Sequence, residues 1–397
     1  MMERFKLMIP GPIELEGEIL REMARPLLPH YGEEWLKVYH KILRALRELF
    51  RTEQDPLLIP GSGSAGLEAA IGSLIGTGGE GKALIISNGF FGRRLAAIAR
   101  AYDQEVRVLE GELDRPFPPE RLEEEIGAEA GLGIRMVAAV HCETSTGVLN
   151  PIRDYAELCR RYGAILVVDA ISSLGGVELE FDGWGLGICV TASQKCLEAP
   201  PGLAILAVSR EAWERISRTA SPGWYLNLRT WREFAQRWAD WHPYPVTLPV
   251  SLLFSLQKSL ERILKEGLAK RFARHARMAG LLRRGLKSLG FELFVPEEYH
   301  SPTVTAALGN EALPAGELIH FLKEEQGILI GGGIEELQGK IFRIGHMGSQ
   351  ATPEMILPVL WGIEEALRAK GLPVEPGESL RVIDLDFDLD LEVKTGE

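Results

Sequence analysis

The sequence predicts an α/β fold: a large unit with a mostly parallel central sheet covered by helices, then a smaller C-terminal α+β unit. Three observations carry this. Short apolar runs alternate with helix-period segments from about residue 55 to residue 210. One run closes on an acid, Asp169, and another is followed, after a turn, by Lys195. Beyond residue 267 long amphipathic segments dominate, with only short strand candidates between them.

Taken in order, strands are expected at 83–87, 105–109, 135–140, 164–169, 187–192 and 203–208, each a run rich in Val, Ile, Leu and Ala. Helices are expected at 63–75, 92–102, 118–126 and 153–162. Apolar strands separated by helices imply right-handed crossovers and a sheet buried on both faces. In such sheets a ligand sits outside the carboxyl ends of the strands. His141, Asp169 and Lys195 fall at or just past such ends.

After residue 208 the pattern changes. Residues 221–249 hold Trp224, Trp231, Trp238, Trp241, Pro243, Tyr244, Pro245 and Pro249, too irregular for one helix and too aromatic for a flexible linker. A packed surface excursion or a subunit contact would each account for it. A long amphipathic helix at 250–267 leads to a second unit, with helices at 268–289, 315–326 and 353–370 and strands at 291–294, 303–308 and 340–344. The expected division is an arm 1–15, a large unit 16–267, a small unit 268–370 and an acidic tail 371–397. In the tail, residues 384–392 alternate acid with apolar, as in an edge strand or a disordered end.

Composition narrows the function. A chain of 397 residues, 46% hydrophobic and 25% charged, can bury a large core. Its net charge of −12 argues against a nucleic-acid surface. No stretch approaches the ~20 apolar residues of a membrane span, and the first residues lack the apolar core of a signal peptide. Cys142, Cys159, Cys189 and Cys196 show no CxxC spacing, which suits reduced thiols in a cytoplasmic protein.

Lys195 lies in the turn Ser193-Gln194-Lys195-Cys196-Leu197-Glu198-Ala199-Pro200-Pro201-Gly202. A lysine at the end of a buried strand loses its proton to desolvation, and a neutral amine forms a Schiff base with an aldehyde. Pyridoxal 5′-phosphate (PLP) is the obvious aldehyde, and it needs an acid beside its pyridine nitrogen, which Asp169 would supply. A solvated loop lysine is the plainer alternative. The loop Gly61-Ser62-Gly63-Ser64-Ala65-Gly66 matches G-x-G-x-x-G, but only residues 56–60 precede it and the next strand ends in Ser87-Asn88-Gly89, without an acid for a ribose. What remains is a glycine- and serine-rich helix start suited to one phosphate, or merely to capping. His141-x-Glu143 suggests a metal only weakly, because the paired cysteines of the zinc deaminases are missing. Phe91 offers a ring to stack on a pyridine, or a core aromatic. Arg343 at a strand end can clamp a carboxylate, or form a surface ion pair.

Together, Ser193-Gln194-Lys195 with Ala199-Pro200-Pro201-Gly202, Glu143-Thr144-Ser145-Thr146-Gly147, Val168-Asp169 and Phe342-Arg343-Ile344-Gly345 resemble the class V aminotransferases, in their alanine–glyoxylate and serine–pyruvate (serine–glyoxylate) branch. The resemblance runs from Pro10-Gly11-Pro12 to about residue 370. It implies PLP fold type I, a homodimer with shared active sites, and small amino and keto acids as substrates. It makes Lys195 the Schiff-base lysine and Asp169 the partner of the ring nitrogen. Phe91 takes the stacking position, Thr144 lies near the phenolic oxygen, and Ile171 joins the cofactor site. Ser62, Gly63, Ser64 and Gln194 surround the phosphate. Tyr244 and Thr247 complete the phosphate site of the other subunit, and Arg343 holds the substrate carboxylate. The implied reaction passes the amino group of alanine or serine to glyoxylate or pyruvate, ping-pong through pyridoxamine phosphate. An aminophosphonate or pyridoxamine as amine, a PLP lyase using Cys196, and a noncatalytic assembly subunit are the alternatives.

Overall fold

The structure, a computed structural model, describes residues 5–76, 82–102, 105–128, 133–220 and 222–381. Its centre is a seven-stranded sheet in the spatial order Leu57–Pro60, Leu203–Val208, Ile188–Ala192, Ile165–Asp169, Ile134–Val140, Lys82–Ser87, Val106–Glu110. Leu203–Val208 runs antiparallel to both its neighbours, and the other pairings are parallel. Strands Ile134–Val140, Ile165–Asp169, Ile188–Ala192 and Leu203–Val208 are buried at every position, which is why their sequences show no polar alternation. The edge strand Val106–Glu110 is less buried, with Arg107 and Glu110 exposed.

The expected strands and helices of the large unit all form, within two residues at each end. Three corrections concern what lies around them. Residues 57–60 are a strand after all, but an antiparallel edge strand that is no neighbour of Lys82–Ser87, so the loop after it does not open a parallel dinucleotide-binding unit. The helix Glu33–Phe50 lay outside the expected set, although Trp35, Tyr39, Ile42, Leu46 and Leu49 mark its buried face at three- and four-residue steps. The aromatic stretch contains the helix Leu228–Arg237, capped by the Asn227 side chain.

A second core joins the helices Leu268–Ser288, Ala315–Gln326 and Pro353–Ala369 to the sheet Val304–Leu308, Ile341–Gly345, Gly331–Gly332. The strand expected at 291–294 does not form. Phe291 turns into the core against Phe342, and only an isolated bridge, Leu293 to Ala307, remains. The N-terminal arm belongs physically to this core: Lys6–Leu7 pairs with Ile328–Leu329, Met8 is buried, and the Gly345 amide donates to the Met8 carbonyl at 2.7 Å. The arm then turns through Gly11 and a cis-Pro12 toward the main sheet, where the Ile13 amide meets the Gln194 carbonyl at 3.3 Å. The alternating acidic segment 384–392 lies outside the described residues. Among the described residues no helix is long and apolar enough to cross a membrane.

Candidate active site

Register sets the site. Val140, Asp169 and Val190 stand level across three adjacent parallel strands, so the acid and the turn carrying Lys195 emerge side by side at the carboxyl edge. The turn itself is pinned from below. Glu198, in a left-handed conformation at φ 51°, forms a buried ion pair with Arg271 at 2.5 Å, and Arg271 also takes the Cys196 and Gly175 carbonyls. Breaking such a pair leaves a buried charge and costs about 3–5 kcal/mol.

A cavity of about 260 Å³ opens at this edge, lined by Gly11, Pro12, Ser62, Gly63, Ser64, Leu67, Phe91, Arg94, Val140, Cys142, Thr144, Asp169, Ile171, Ser172, Gln194 and Lys195. Ten of the twelve site residues expected from sequence therefore fall on or beside one cavity. Nine line it: Ser62, Gly63, Ser64, Phe91, Thr144, Asp169, Ile171, Gln194 and Lys195. Arg343 stands behind the wall, its Nη1 donating to the Thr144 carbonyl at 2.8 Å and its Nε to the Gly332 carbonyl at 2.8 Å.

Lys195 is buried, and burial pulls its pKa from 10.5 down to about 8. Its Nζ donates to the Pro10 carbonyl, so the N-terminal arm holds the amine. Asp169 is buried at the strand end, and desolvation pushes its pKa from 3.8 up to about 7, against the pull of the Ile171 amide on its Oδ1 at 2.9 Å. A cation placed beside that carboxyl would restore its charge, which is the chemistry a pyridine nitrogen demands.

The opposite wall is a helix start. Ser62 is the N-cap of Gly63–Ile75, yet its side chain makes no capping bond, and Ser62, Gly63 and Ser64 line the cavity, a helix start of the kind that suits an anion. A Cβ on Gly63 would fall 2.4 Å from Ile171 Cδ1, so glycine is what lets the helix start sit over Ile171. The carboxamide oxygen of Gln194 is buried without a partner among the described residues. Thr144 Oγ1 donates to Ser172 Oγ at 2.6 Å.

Phe91 is placed from below by Glu143. That buried carboxylate accepts the amides of Phe91 at 3.3 Å, Gly92 at 3.0 Å and Ser145 at 3.0 Å, along with the Ser145 hydroxyl, and so caps the helix Phe90–Tyr102. Here the expectation that His141, at the end of a strand, stands beside the ligand is corrected. Along this extended segment Cys142 and Thr144 line the cavity, whereas His141 and Glu143 do not. His141 packs edge-on to Trp184, burial lowers its pKa to about 4, and among the described residues no cluster of three His, Cys, Asp or Glu side chains could hold a metal.

Tyr244 and Thr247 lie elsewhere. The buried Tyr244 hydroxyl donates to the His30 carbonyl and accepts from Trp35 Nε1, and Thr247 Oγ1 stands 3.3 Å from His30 Nε2 on the exposed side. The thiol in the cavity wall is Cys142, 2.9 Å from Ser301 Oγ, and not Cys196, which points to the Ser172 carbonyl. Burial raises the pKa of both thiols. Gly11, Pro12, Arg94 and Ser172 were missing from the sequence expectation. Pro10-Gly11-Pro12 marks where the family resemblance begins, but nothing local ties it to residue 195. A larger cleft, about 990 Å³, lies between the helices Val250–Glu266 and Leu268–Ser288 and the arm, and several of its charges pair with one another, as in Arg271 and Arg274 on Glu266 at 2.9 and 2.5 Å.

Comparison with known proteins agrees with this geometry. The family model described as aminotransferase class-V matches residues 21–340. An uncharacterized aminotransferase of Methanocaldococcus jannaschii is 39% identical over 93% of this chain and 94% of its own length. The alanine–glyoxylate aminotransferase of Callithrix jacchus is 33% identical over 91% of this chain and 87% of its own. The crystal structure of the ureidoglycine–glyoxylate aminotransferase of Bacillus subtilis superposes with a TM-score of 0.90 at 31% identity, covering 97% of this chain and 99% of that one. With a buried lysine and acid at adjacent strand ends and a helix start aimed between them, the chain belongs to the class V aminotransferases and is a PLP-dependent transaminase.

Proposed function

We propose that this chain moves the amino group of a small amino acid, alanine or serine, to glyoxylate or pyruvate in two ping-pong half-reactions. The observation that carries the reading is a 260 Å³ cavity holding Lys195, Asp169 and the serine-rich helix start. Glyoxylate recurs in the names of two relatives with different donors, which supports the acceptor more than the donor.

PLP, when bound, supplies the aldehyde and the electron sink for the transfer. Lys195 Nζ would hold the aldehyde carbon and, once displaced by the incoming amine, take and return the substrate proton, a role its lowered pKa of about 8 suits. Asp169 would keep the ring nitrogen protonated. Phe91 would cover the ring, Ile171 would pack beneath it, and Thr144 would bond the phenolic oxygen. Ser62, Gly63, Ser64 and Gln194 would take the phosphate. Arg343, fixed through Nε and Nη1, retains Nη2 for the substrate carboxylate.

A homodimer belongs to the same reading, with Tyr244 and Thr247 reaching a second copy's phosphate. Thr247 has the more exposed hydroxyl, whereas Tyr244 would have to release the His30 carbonyl. A cytoplasmic location is supported by four free, buried cysteines. The test is a donor panel (alanine, serine, aspartate, an aminophosphonate, pyridoxamine) against glyoxylate and pyruvate. Parallel-line kinetics with alanine or serine are expected. Turnover confined to the other donors would refute the substrate assignment.

A further inference from the structure

Arg94 has a place in the cavity that none of these roles uses. It sits on the first turns of the helix Phe90–Tyr102, three residues after Phe91 and on the same face. Its neighbour Arg93 is neutralised by Glu335 and Glu336 at 2.6 and 2.9 Å. Arg94 forms no ion pair with any described carboxylate, although it is half-buried and lines the cavity. An unpaired cation taken partly out of water is unfavourable unless something compensates it. What the protein itself offers is the faces of two rings, with the guanidinium carbon 4.8 Å from the centroid of Phe91 and 5.0 Å from that of Phe90, and a longer-range attraction to Asp169 across the cavity. Stacking of this kind occupies the guanidinium's face and leaves its in-plane N–H groups free. One of them, on Nη1, points to Ser64 Oγ at 3.5 Å, the far limit of a hydrogen bond. Ser64 stands in the first turn of the helix Gly63–Ile75, whose N-cap Ser62 makes no side-chain capping bond to the first amides. A guanidinium, a hydroxyl and first-turn amides thus converge at one end of the cavity, and all of them donate.

We propose that Arg94 is a further cofactor-binding residue, pairing with the PLP phosphate alongside Ser64 and the helix start while it braces Phe91. The inference rests on the proposed cofactor site and deepens it. A charge-paired phosphate contact and a mere brace for Phe91 differ in one measurable respect, because pyridoxal has the ring and the aldehyde but no phosphate.

The experiment titrates the full cofactor-stripped chain with PLP and with pyridoxal, following absorbance and intrinsic fluorescence, for wild type, Arg94→Gln, Arg94→Met and Arg94→Lys. Arg94→Gln and Arg94→Met should weaken PLP by roughly 10- to 100-fold, the worth of a hydrogen bond to a charged group, and leave pyridoxal within about twofold. Arg94→Lys should recover part of the loss because it keeps the charge. A parallel loss for both ligands in Gln and Met would make Arg94 a brace only, and unchanged PLP affinity would remove it from the site; either result overturns the inference while leaving the transaminase reading intact. A wild-type chain that binds neither ligand would overturn both together.

Discussion

Replacing Asp169 by Asn should make the cofactor-free chain more stable at alkaline pH while disabling it as an enzyme. The carboxyl is 4% exposed and its pKa moves from 3.8 to about 7, chiefly through burial. A shift of that size amounts to roughly 4 kcal/mol of preference for the neutral form in the folded state. The sign follows from proton counting. Between pH 4 and 7 the unfolded chain has released this proton and the folded chain retains it, so raising the pH favours unfolding. The contribution is fully present below the unfolded pKa and is lost as pH passes the folded one, near 7. Asparagine has no proton to lose and keeps an oxygen for the Ile171 amide. The stability difference between variant and wild type should therefore widen by about 1.4 kcal/mol per pH unit from pH 5 to 7 and level off above pH 8. Denaturant unfolding of the stripped proteins at several pH values measures this directly. Saturating PLP should reverse the order, since a ligand that binds only the folded chain stabilises it by mass action and the wild type binds it better. Parallel pH profiles for the two proteins, or a variant less stable at pH 8, would refute the reasoning.

Borohydride reduction in the presence of PLP should label Lys195, and capture by the stripped chain should accelerate through an apparent pKa near 8, as the amine loses its proton; label on another lysine would falsify the assignment. Gly11→Ala should cost roughly 1–2 kcal/mol, because Gly11 has φ +81°. It should also slow PLP capture, since the new Cβ would fall 2.4 Å from Lys195 Cδ and 2.8 Å from Nζ; normal capture kinetics would mean that the arm does not set the amine's position. For the shared site, a mixture of Lys195→Ala with Tyr244→Phe,Thr247→Ala chains should regain activity above either parent, because one site of a mixed dimer is then intact. Absence of recovery despite proven subunit exchange would count against it. Arg343→Ala should raise the KM for amino acid and leave PLP affinity unchanged, as the proposed partner of its Nη2 is the substrate carboxylate and not the cofactor.

The parts of this protein written in local sequence are those with a local physical cause. Two-sided burial makes the central strands continuous apolar runs, so their positions and the strand-end placement of Asp169 could be read directly. The turn chemistry around Lys195 and the glycine–serine helix start were equally visible, because each depends on its immediate neighbours. Facing was not: Cys142 and Thr144, rather than His141 and Glu143, enter the cavity because of how one short extended segment leaves its strand and how Glu143 is claimed by the amides of a different helix. Nor did any local pattern show that the Pro10 carbonyl reaches Lys195 across 185 residues, that Arg94 stands without an acid beside Phe91, or that Tyr244 is held by His30 and Trp35. Those arrangements exist only once tertiary packing has carried distant segments together, and periodicity and turn preferences, being properties of a few neighbouring residues, have no means of recording them.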